Sequence, residues 1–132
     1  MRFLLDTNIV SDIVRHPRGK IANRISEVGE GDVCTSIIVA AELRYGATKK
    51  NSPRLTAQLE AVLGALVVLA LEAPAELRYG KIRASLERKG RPIGANDLLI
   101  AAHAQSLDLT LVTDNEREFS HVDGLRIENW LR

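Results

Sequence analysis

Four acidic side chains interrupt or end apolar segments of this chain: Asp6, Glu42, Asp97 and Asp114. An ionised carboxylate resists leaving water unless it is paired, hydrogen-bonded or bound to a metal. If these four converge, they form a set of hard oxygen ligands of the kind that Mg²⁺ prefers, with Mn²⁺ as the alternative. A metal bound by few protein ligands keeps positions for water and phosphate, which suits hydrolysis of a phosphodiester bond.

The first and last of these acids share a local pattern, because Asp6-Thr7-Asn8 and Thr113-Asp114-Asn115 both stand at the end of a strand-like run. The alternative for Asp6 is an N-cap of the following helix, since Asp, Thr and Asn all cap well. The alternative for Asp114 is an ordinary turn residue. Both alternatives leave the carboxylate beside the end of a strand.

The other two acids lie on the apolar stripes of predicted helices. Their helical neighbours are Ile38, Val39, Tyr45 and Gly46 around Glu42, and Ile100, Ala101 and Ala104 after Asp97. The alternative for Glu42 is a buried salt bridge to an arginine, which is seldom better for stability than apolar residues of similar volume. The alternative for Asp97 is a favourable interaction with the helix dipole. Asn96 is the expected cap of that helix.

Apolar β-type runs alternate with helical patterns along the chain, which predicts an α/β fold with a mostly parallel sheet of four to five strands flanked by helices. The expected strands cover residues 2–5, 33–35, 66–71, 110–113 and 125–128, and the expected helices cover residues 9–14, 20–28, 37–48, 53–63, 74–89 and 96–107. Parallel strands end at one edge of a sheet, where ligand sites form. We therefore expect Asp6 and Asp114 at that edge.

The length of 132 residues and the hydrophobic fraction of 45% suit one domain, residues 1–132, with a real core. No apolar run reaches transmembrane length, and the N-terminus lacks the pattern of a signal peptide. The single cysteine, Cys34, is expected in the core, and a reducing cytoplasm is the simplest compartment. The net charge of +1 excludes binding of nucleic acid by a bulk positive field.

The motifs that carry a family resemblance are Leu4-Leu5-Asp6-Thr7-Asn8, residues 36–46 around Glu42, residues 79–83, residues 91–104 around Asp97, Thr113-Asp114-Asn115, Glu118-Phe119 and residues 124–130. In these motifs, over essentially its whole length, the chain resembles a PIN-domain ribonuclease of the VapC toxin type. The likeness implies a single PIN-like domain and a Mg²⁺-dependent endoribonuclease. It further implies that the substrate is single-stranded or looped RNA, often initiator tRNA or a ribosomal RNA loop.

The resemblance also implies a role for each matching residue. Asp6 and Asp97 would be the principal metal ligands, and Glu42 and Asp114 would complete the catalytic quartet as ligands or as holders and activators of water. The side chains expected to orient these carboxylates are Thr7, Asn8, Thr113 and Asn115. Glu118 would be a fifth acid, although solvent exposure is its favoured interpretation.

Partners are implied in the same way. A VapB-type antitoxin would wrap the toxin and reach into its active site, and operator DNA would be contacted only through that antitoxin. The chain is expected to form a homodimer. Arg83, Arg88 and Arg91 are candidates for contact with RNA, with a structural surface role as the alternative.

Two other functions that use a site at a strand end, and one non-enzymatic function, are the alternatives to a nuclease. A haloacid-dehalogenase-like phosphotransferase needs a second aspartate two residues after the first, where Asn8 stands. A nucleotide-binding switch needs a glycine-rich loop ending in Lys-Ser or Lys-Thr, and the chain has none. The remaining alternative is an interaction module that acts mainly as the partner of a DNA-binding antitoxin.

Overall fold

Five short strands form the centre of the molecule, and all of them are parallel. The computed structural model describes residues 1–132. The strands are β1 (Phe3–Leu5), β2 (Val33–Ser36), β3 (Val67–Leu69), β4 (Thr110–Val112) and β5 (Ile127–Glu128). Their order in the sheet is β3-β2-β1-β4-β5. The predicted parallel α/β fold is confirmed, with five strands, and the third strand is shorter than expected.

Seven helices cover the two faces of this sheet. They are α1 (Thr7–Arg15), α2 (Lys20–Val28), α3 (Ile37–Lys50), α4 (Pro53–Ala65), α5 (Ala75–Arg88), α6 (Ala95–Ser106) and α7 (Glu116–Phe119), with a 3-10 turn at Glu30–Asp32. Ser36 caps α3, because its hydroxyl oxygen accepts the Ile38 N–H. The expected cap at Asn96 is wrong: the N-cap of α6 is Gly94, and no side chain caps this helix. The short α7 had no counterpart in the prediction. No helix has the length and apolar character to span a bilayer.

The central strand β1 is apolar without alternation because helices cover both faces of the sheet. All three of its residues are buried. Cys34, expected in the core, is fully buried on the neighbouring strand. The register pairs Leu5 with Thr35 on one side and with Val112 on the other. β1 and β4 therefore end level with one another, β2 extends one residue further to Ser36, and Asp6 follows directly at the middle of that edge.

Candidate active site

Asp6 lies at the carboxyl end of the central strand, and both of its carboxylate oxygens are held. Its backbone N–H donates to the Val112 carbonyl at 2.9 Å, which extends the strand ladder by one residue. Oδ1 accepts the Thr7 N–H at 2.8 Å, and Oδ2 accepts the Thr113 hydroxyl at 2.7 Å. The side chain is only 4% exposed. Asp6 is therefore the N-cap of α1, as the helix-capping interpretation predicts. The same hydrogen bonds orient its carboxylate, which leaves metal binding open as a second role.

Thr113 is itself held in the orientation that serves Asp6. Its oxygen accepts the Asn115 N–H at 2.9 Å while its hydroxyl hydrogen goes to Asp6. The residue is fully buried at the end of β4. Its backbone N–H donates to the Glu128 carbonyl at 2.9 Å, so two strands fix the position of this hydroxyl group. The expected orienting contact of Thr113 is present in the structure.

Glu42 meets the same site from α3. The Thr7 hydroxyl donates to Glu42 Oε1 at 2.7 Å, so one threonine contacts two acids, through its backbone N–H and through its side chain. Glu42 is partly buried and forms no salt bridge, so the alternative of an arginine partner is wrong. Its second oxygen, Oε2, forms no hydrogen bond with the protein.

Asp97 lies in the first turn of α6, close to the backbone of Gly94. A Cβ atom at Gly94 would come within 3.8 Å of Asp97 Oδ2, so glycine leaves the carboxylate open on that side. Burial raises the pKa of Asp97 to about 7, helped by contact with Glu118 and by the charges of Asp6, Glu118 and Glu42. The Glu118 carboxyl group lies close enough to Asp97 to disfavour the charged form of Asp97.

The pKa of Asp6 responds to the same group of residues. Burial raises it, the hydrogen bonds from Thr113 and Thr7 lower it, and the charges of Glu42 and Glu118 raise it again. The net direction is upward. The acids that interact with one another are therefore Asp6, Glu42, Asp97 and Glu118.

Glu118 interacts with the other acids, although solvent exposure was its favoured interpretation from the sequence. The expected solvent exposure is wrong, because the side chain is partly buried and accepts the Asn115 Nδ2 hydrogen at 2.8 Å. Its neighbour Phe119 is fully buried and fixes α7 against the core. A sequence signal existed in the spacing of Asn115 and Glu118, three residues apart and thus on one side of a helical turn.

Asp114 and Asn8 lie apart from these contacts. Asp114 is exposed, and its Oδ1 accepts the Asn129 Nδ2 hydrogen at 3.0 Å. Its charge is not among those that raise the pKa of Asp6 or Asp97. Asn8 is exposed as well, and its side chain does not hydrogen-bond any of the acids. The site roles of these two residues therefore stay predictions without a supporting contact.

The donor set fits a divalent cation of the hard, oxygen-binding kind. None of the four interacting acids forms a salt bridge with lysine or arginine, so their negative charge has no counterion within the protein. No group of three or more acidic, histidine or cysteine side chains is arranged to hold a metal ion by itself. Mg²⁺ does not need such a cage, since it usually keeps several waters and binds through one or two carboxylates.

Known proteins are similar to this chain in both sequence and fold. The model of the PIN domain family matches residues 3–125. The chain is 40% identical to a "tRNA(fMet)-specific endonuclease VapC" of Shigella flexneri, over 98% of both chains. It is 41% identical to a "Ribonuclease VapC2" of Haemophilus influenzae, over 99% of both. A crystal structure of DNA-bound VapBC from Salmonella typhimurium contains a chain that superposes with a TM-score of 0.92 at 40% identity, over 98% of both chains.

Proposed function

The chain belongs to the PIN-domain family, among the VapC ribonucleases, and from this premise we propose that it is a Mg²⁺-dependent endoribonuclease toxin neutralised by a VapB-type antitoxin. The observation that carries the proposal is the group of interacting acids without a basic partner at the carboxyl edge of the sheet. Such a group is costly to maintain unless a cation balances its charge. Its cost therefore supports a metal-dependent function.

In this proposal Asp6 and Asp97 hold Mg²⁺, with Glu42 and Glu118 completing the acidic site. Mn²⁺ would serve as an alternative metal. When bound, the cation supplies Lewis-acid activation of water and of the scissile phosphate. Asp114 is a candidate for holding water at the rim of the site, because its carboxylate is exposed near the carboxyl end of β4.

The protein's own contribution is orientation and proton transfer. Hydrolysis needs a base that takes a proton from the attacking water, within hydrogen-bond reach of it. Glu42 suits this role because Thr7 fixes Oε1 while Oε2 has no partner in the protein. Thr113 fixes Asp6, and Asn115 fixes Glu118, in the same manner. Held carboxylates need little reorganisation when the phosphate arrives.

RNA would approach over the cleft beside Glu42. This cleft of about 170 Å³ lies between α1, α3 and α4, and the basic side chains in its lining are Arg15 and Lys50. We propose that they contact phosphates of the substrate. Arg83, a candidate from the sequence, is instead engaged by Glu87 at 3.1 Å and by the Tyr79 hydroxyl at 3.1 Å. Local cations suit a protein whose net charge is only +1.

The partners follow from the relatives. One similar crystal structure is a DNA-bound VapBC complex, which supports a VapB-type antitoxin for this chain and contact with operator DNA through that antitoxin. The Shigella relative is described as specific for tRNA(fMet), which makes initiator tRNA the first substrate to test. A cytoplasmic homodimer is proposed for the free toxin. Light scattering of the antitoxin-free chain measures its mass directly.

The test is cleavage of initiator tRNA and of total cellular RNA by the antitoxin-free chain, with Mg²⁺ or with EDTA. Asp6→Asn removes one charge and keeps the shape of the side chain. Asp108→Asn is the matched control, because Asp108 is 89% exposed and pairs only with Arg126 at the surface. Discrete fragments that need Mg²⁺, persist in Asp108→Asn and vanish in Asp6→Asn support the nuclease. Absence of cleavage by the folded wild type argues for the interaction module instead.

A further inference from the structure

His103 is buried in α6, six residues after Asp97, and its side chain is 1% exposed. In the structure His103 Nδ1 lies 2.8 Å from the hydroxyl oxygen of Ser36, a residue that is itself fully buried. The contact joins two segments that are 67 residues apart in the chain.

The hydrogen-bond network assigns the direction of this contact. Ser36 Oγ already accepts the Ile38 N–H at 3.1 Å, and the His103 ring also has the Ala70 carbonyl as a neighbour that can accept a ring N–H. The Ser36 hydroxyl therefore donates to Nδ1, and the neutral imidazole carries its proton on Nε2. Nε2 has no well-aligned hydrogen-bond partner. Burial lowers the pKa of His103, and a contact with the Ala70 carbonyl opposes that only in part.

Both partners of this hydrogen bond belong to elements that carry acids of the site. Ser36 is the N-cap of α3, six residues before Glu42, and His103 follows Asp97 by six residues in α6. At 1.5 Å of rise per residue, each acid lies roughly 9 Å along its helix from the bond. A displacement of either helix at this bond would be passed to its carboxylate, because a helix is rigid over that length.

Packing alone does not require a histidine at this position. Leucine fills a similar volume and leaves no ring nitrogen buried without a partner, which is an unfavourable state for a polar group. The hydrogen bond between His103 and Ser36 is therefore better explained by the two helices that it orients, α6 and α3. We propose that His103 is a positioning residue: through Ser36 it fixes α6 against the N-terminus of α3 and so sets the separation of Asp97 and Glu42. This inference rests on the proposed nuclease function.

The experiment compares four variants of the full chain: His103→Leu, His103→Asn, Ser36→Ala and Leu63→Ala. His103→Leu keeps the volume and removes the acceptor. His103→Asn restores an acceptor near the position of Nδ1 and is the rescue variant. Leu63→Ala is the control, because Leu63 is a buried core residue of α4 that the site does not use. It reports what loss of core packing alone does to the site.

Two kinds of measurement are made on each variant. The first is kcat, the KM for RNA and the Mg²⁺ concentration at half-maximal rate. The second needs no catalysis: the rise in melting temperature on addition of Mg²⁺, and Mg²⁺ binding by calorimetry. We expect His103→Leu and Ser36→Ala to weaken Mg²⁺ binding about tenfold and to lower kcat, as loss of a residue that orients metal ligands does. The KM for RNA should stay within about twofold of wild type, since no RNA contact is removed.

Rescue and control decide between positioning and mere stability. His103→Asn should recover most of the Mg²⁺ affinity. Leu63→Ala should lower the melting temperature but retain the Mg²⁺ affinity of the wild type. The double variant Ser36→Ala with His103→Leu should be no worse than either single variant, because both remove the same bond. A long-range ¹H–¹⁵N spectrum of the wild type should show the Nε2–H tautomer, and Ser36→Ala should shift the Nδ1 resonance.

The inference fails if His103→Leu binds Mg²⁺ and turns over RNA like the wild type, or if Leu63→Ala loses Mg²⁺ affinity equally. If His103→Leu does not fold, Ser36→Ala and His103→Asn carry the same comparison. A wild type that binds no Mg²⁺ and cleaves no RNA overturns the proposed function and this inference together. If the wild type binds Mg²⁺ and cleaves RNA, and the His103 and Ser36 variants do so equally well, only this inference is overturned.

Discussion

The Thr7 hydroxyl donates to Glu42 Oε1 at 2.7 Å, which ties the first turn of α1 to the middle of α3. The backbone N–H of the same threonine donates to Asp6 at 2.8 Å. Two acids from different elements are thus oriented by one residue. A hydroxyl group without charge can do this beside a cation, where a lysine or arginine would compete with the metal for the carboxylates.

Replacing Thr7 by valine removes the hydroxyl and keeps the branched shape. Because the Asp6 carboxylate still accepts the backbone N–H of residue 7 and caps α1, we expect the fold to remain, with a loss of about 1 kcal/mol in stability. The rate of RNA cleavage should fall about tenfold or more, because Glu42 loses its orientation. Single-turnover cleavage measures this, and Thr7→Ser is the control that should retain activity. Equal rates for Thr7→Val and wild type would contradict an orienting role.

Substitutions of Glu118 and Asp114 are expected to affect RNA cleavage to different degrees. Glu118→Gln should lower the cleavage rate by about tenfold or more and weaken Mg²⁺ binding, because Glu118 contacts Asp97. Asp114→Asn should have the smaller effect, since its carboxylate is exposed and contacts Asn129. The two variants are compared at saturating and limiting Mg²⁺. If Asp114→Asn is the more damaging change, Asp114 is the fourth acid of the site, as the sequence predicts, and Glu118 is not.

The stability of the metal-free protein should depend on pH through Asp97. Its pKa rises from 3.8 to about 7 on folding, so the folded state holds a proton that the unfolded state has lost. Stability should therefore fall as pH rises from about 4 to about 7 and stay low above that range. Because the side chain is only partly buried, the loss is discounted for solvent screening to on the order of 1–2 kcal/mol.

Denaturant unfolding in EDTA at pH 5 and pH 8 measures this dependence. Asp97→Asn cannot ionise, so its stability should change less between the two values of pH and should exceed that of wild type at pH 8. Asp108→Asn, an exposed change elsewhere, should follow the wild type. A wild type whose stability rises from pH 5 to pH 8, while that of Asp97→Asn does not, would show that the pKa of Asp97 is lowered instead.

The cleft beside Glu42 predicts a salt-dependent contact with RNA. Changing Arg15 and Lys50 together to glutamine should raise the KM for RNA and leave kcat at saturating RNA nearly unchanged. The slope of log affinity against log salt should decrease by about 1.4 for two lost phosphate contacts with single-stranded RNA. Arg83→Gln should change neither, because Arg83 is engaged by Glu87. An unchanged salt slope in the double variant would place the RNA elsewhere on the surface.

Local sequence determined most of the fold and indicated three of the acids that interact in the structure. Unbroken apolar runs define buried parallel strands, and Ser36 and Pro53 mark where two helices begin, because capping and proline geometry depend on adjacent residues alone. Asp6 follows from its place at the end of the central strand. Glu42 and Asp97 follow from their unexpected position on apolar helical faces. Their interaction in the structure agrees with that reasoning.

The tertiary structure decided which side chains of the later turns face the site. Asp114 and Glu118 both follow β4 closely, and no periodicity indicates which of them points inward. The choice depends on the path of the chain after Thr113 and on the burial of Phe119, which turns Glu118 toward Asp97. The hydrogen bond of Ser36 with His103 is likewise a contact across 67 residues. Such contacts depend on how helices pack against one sheet, and local patterns in a sequence do not specify that.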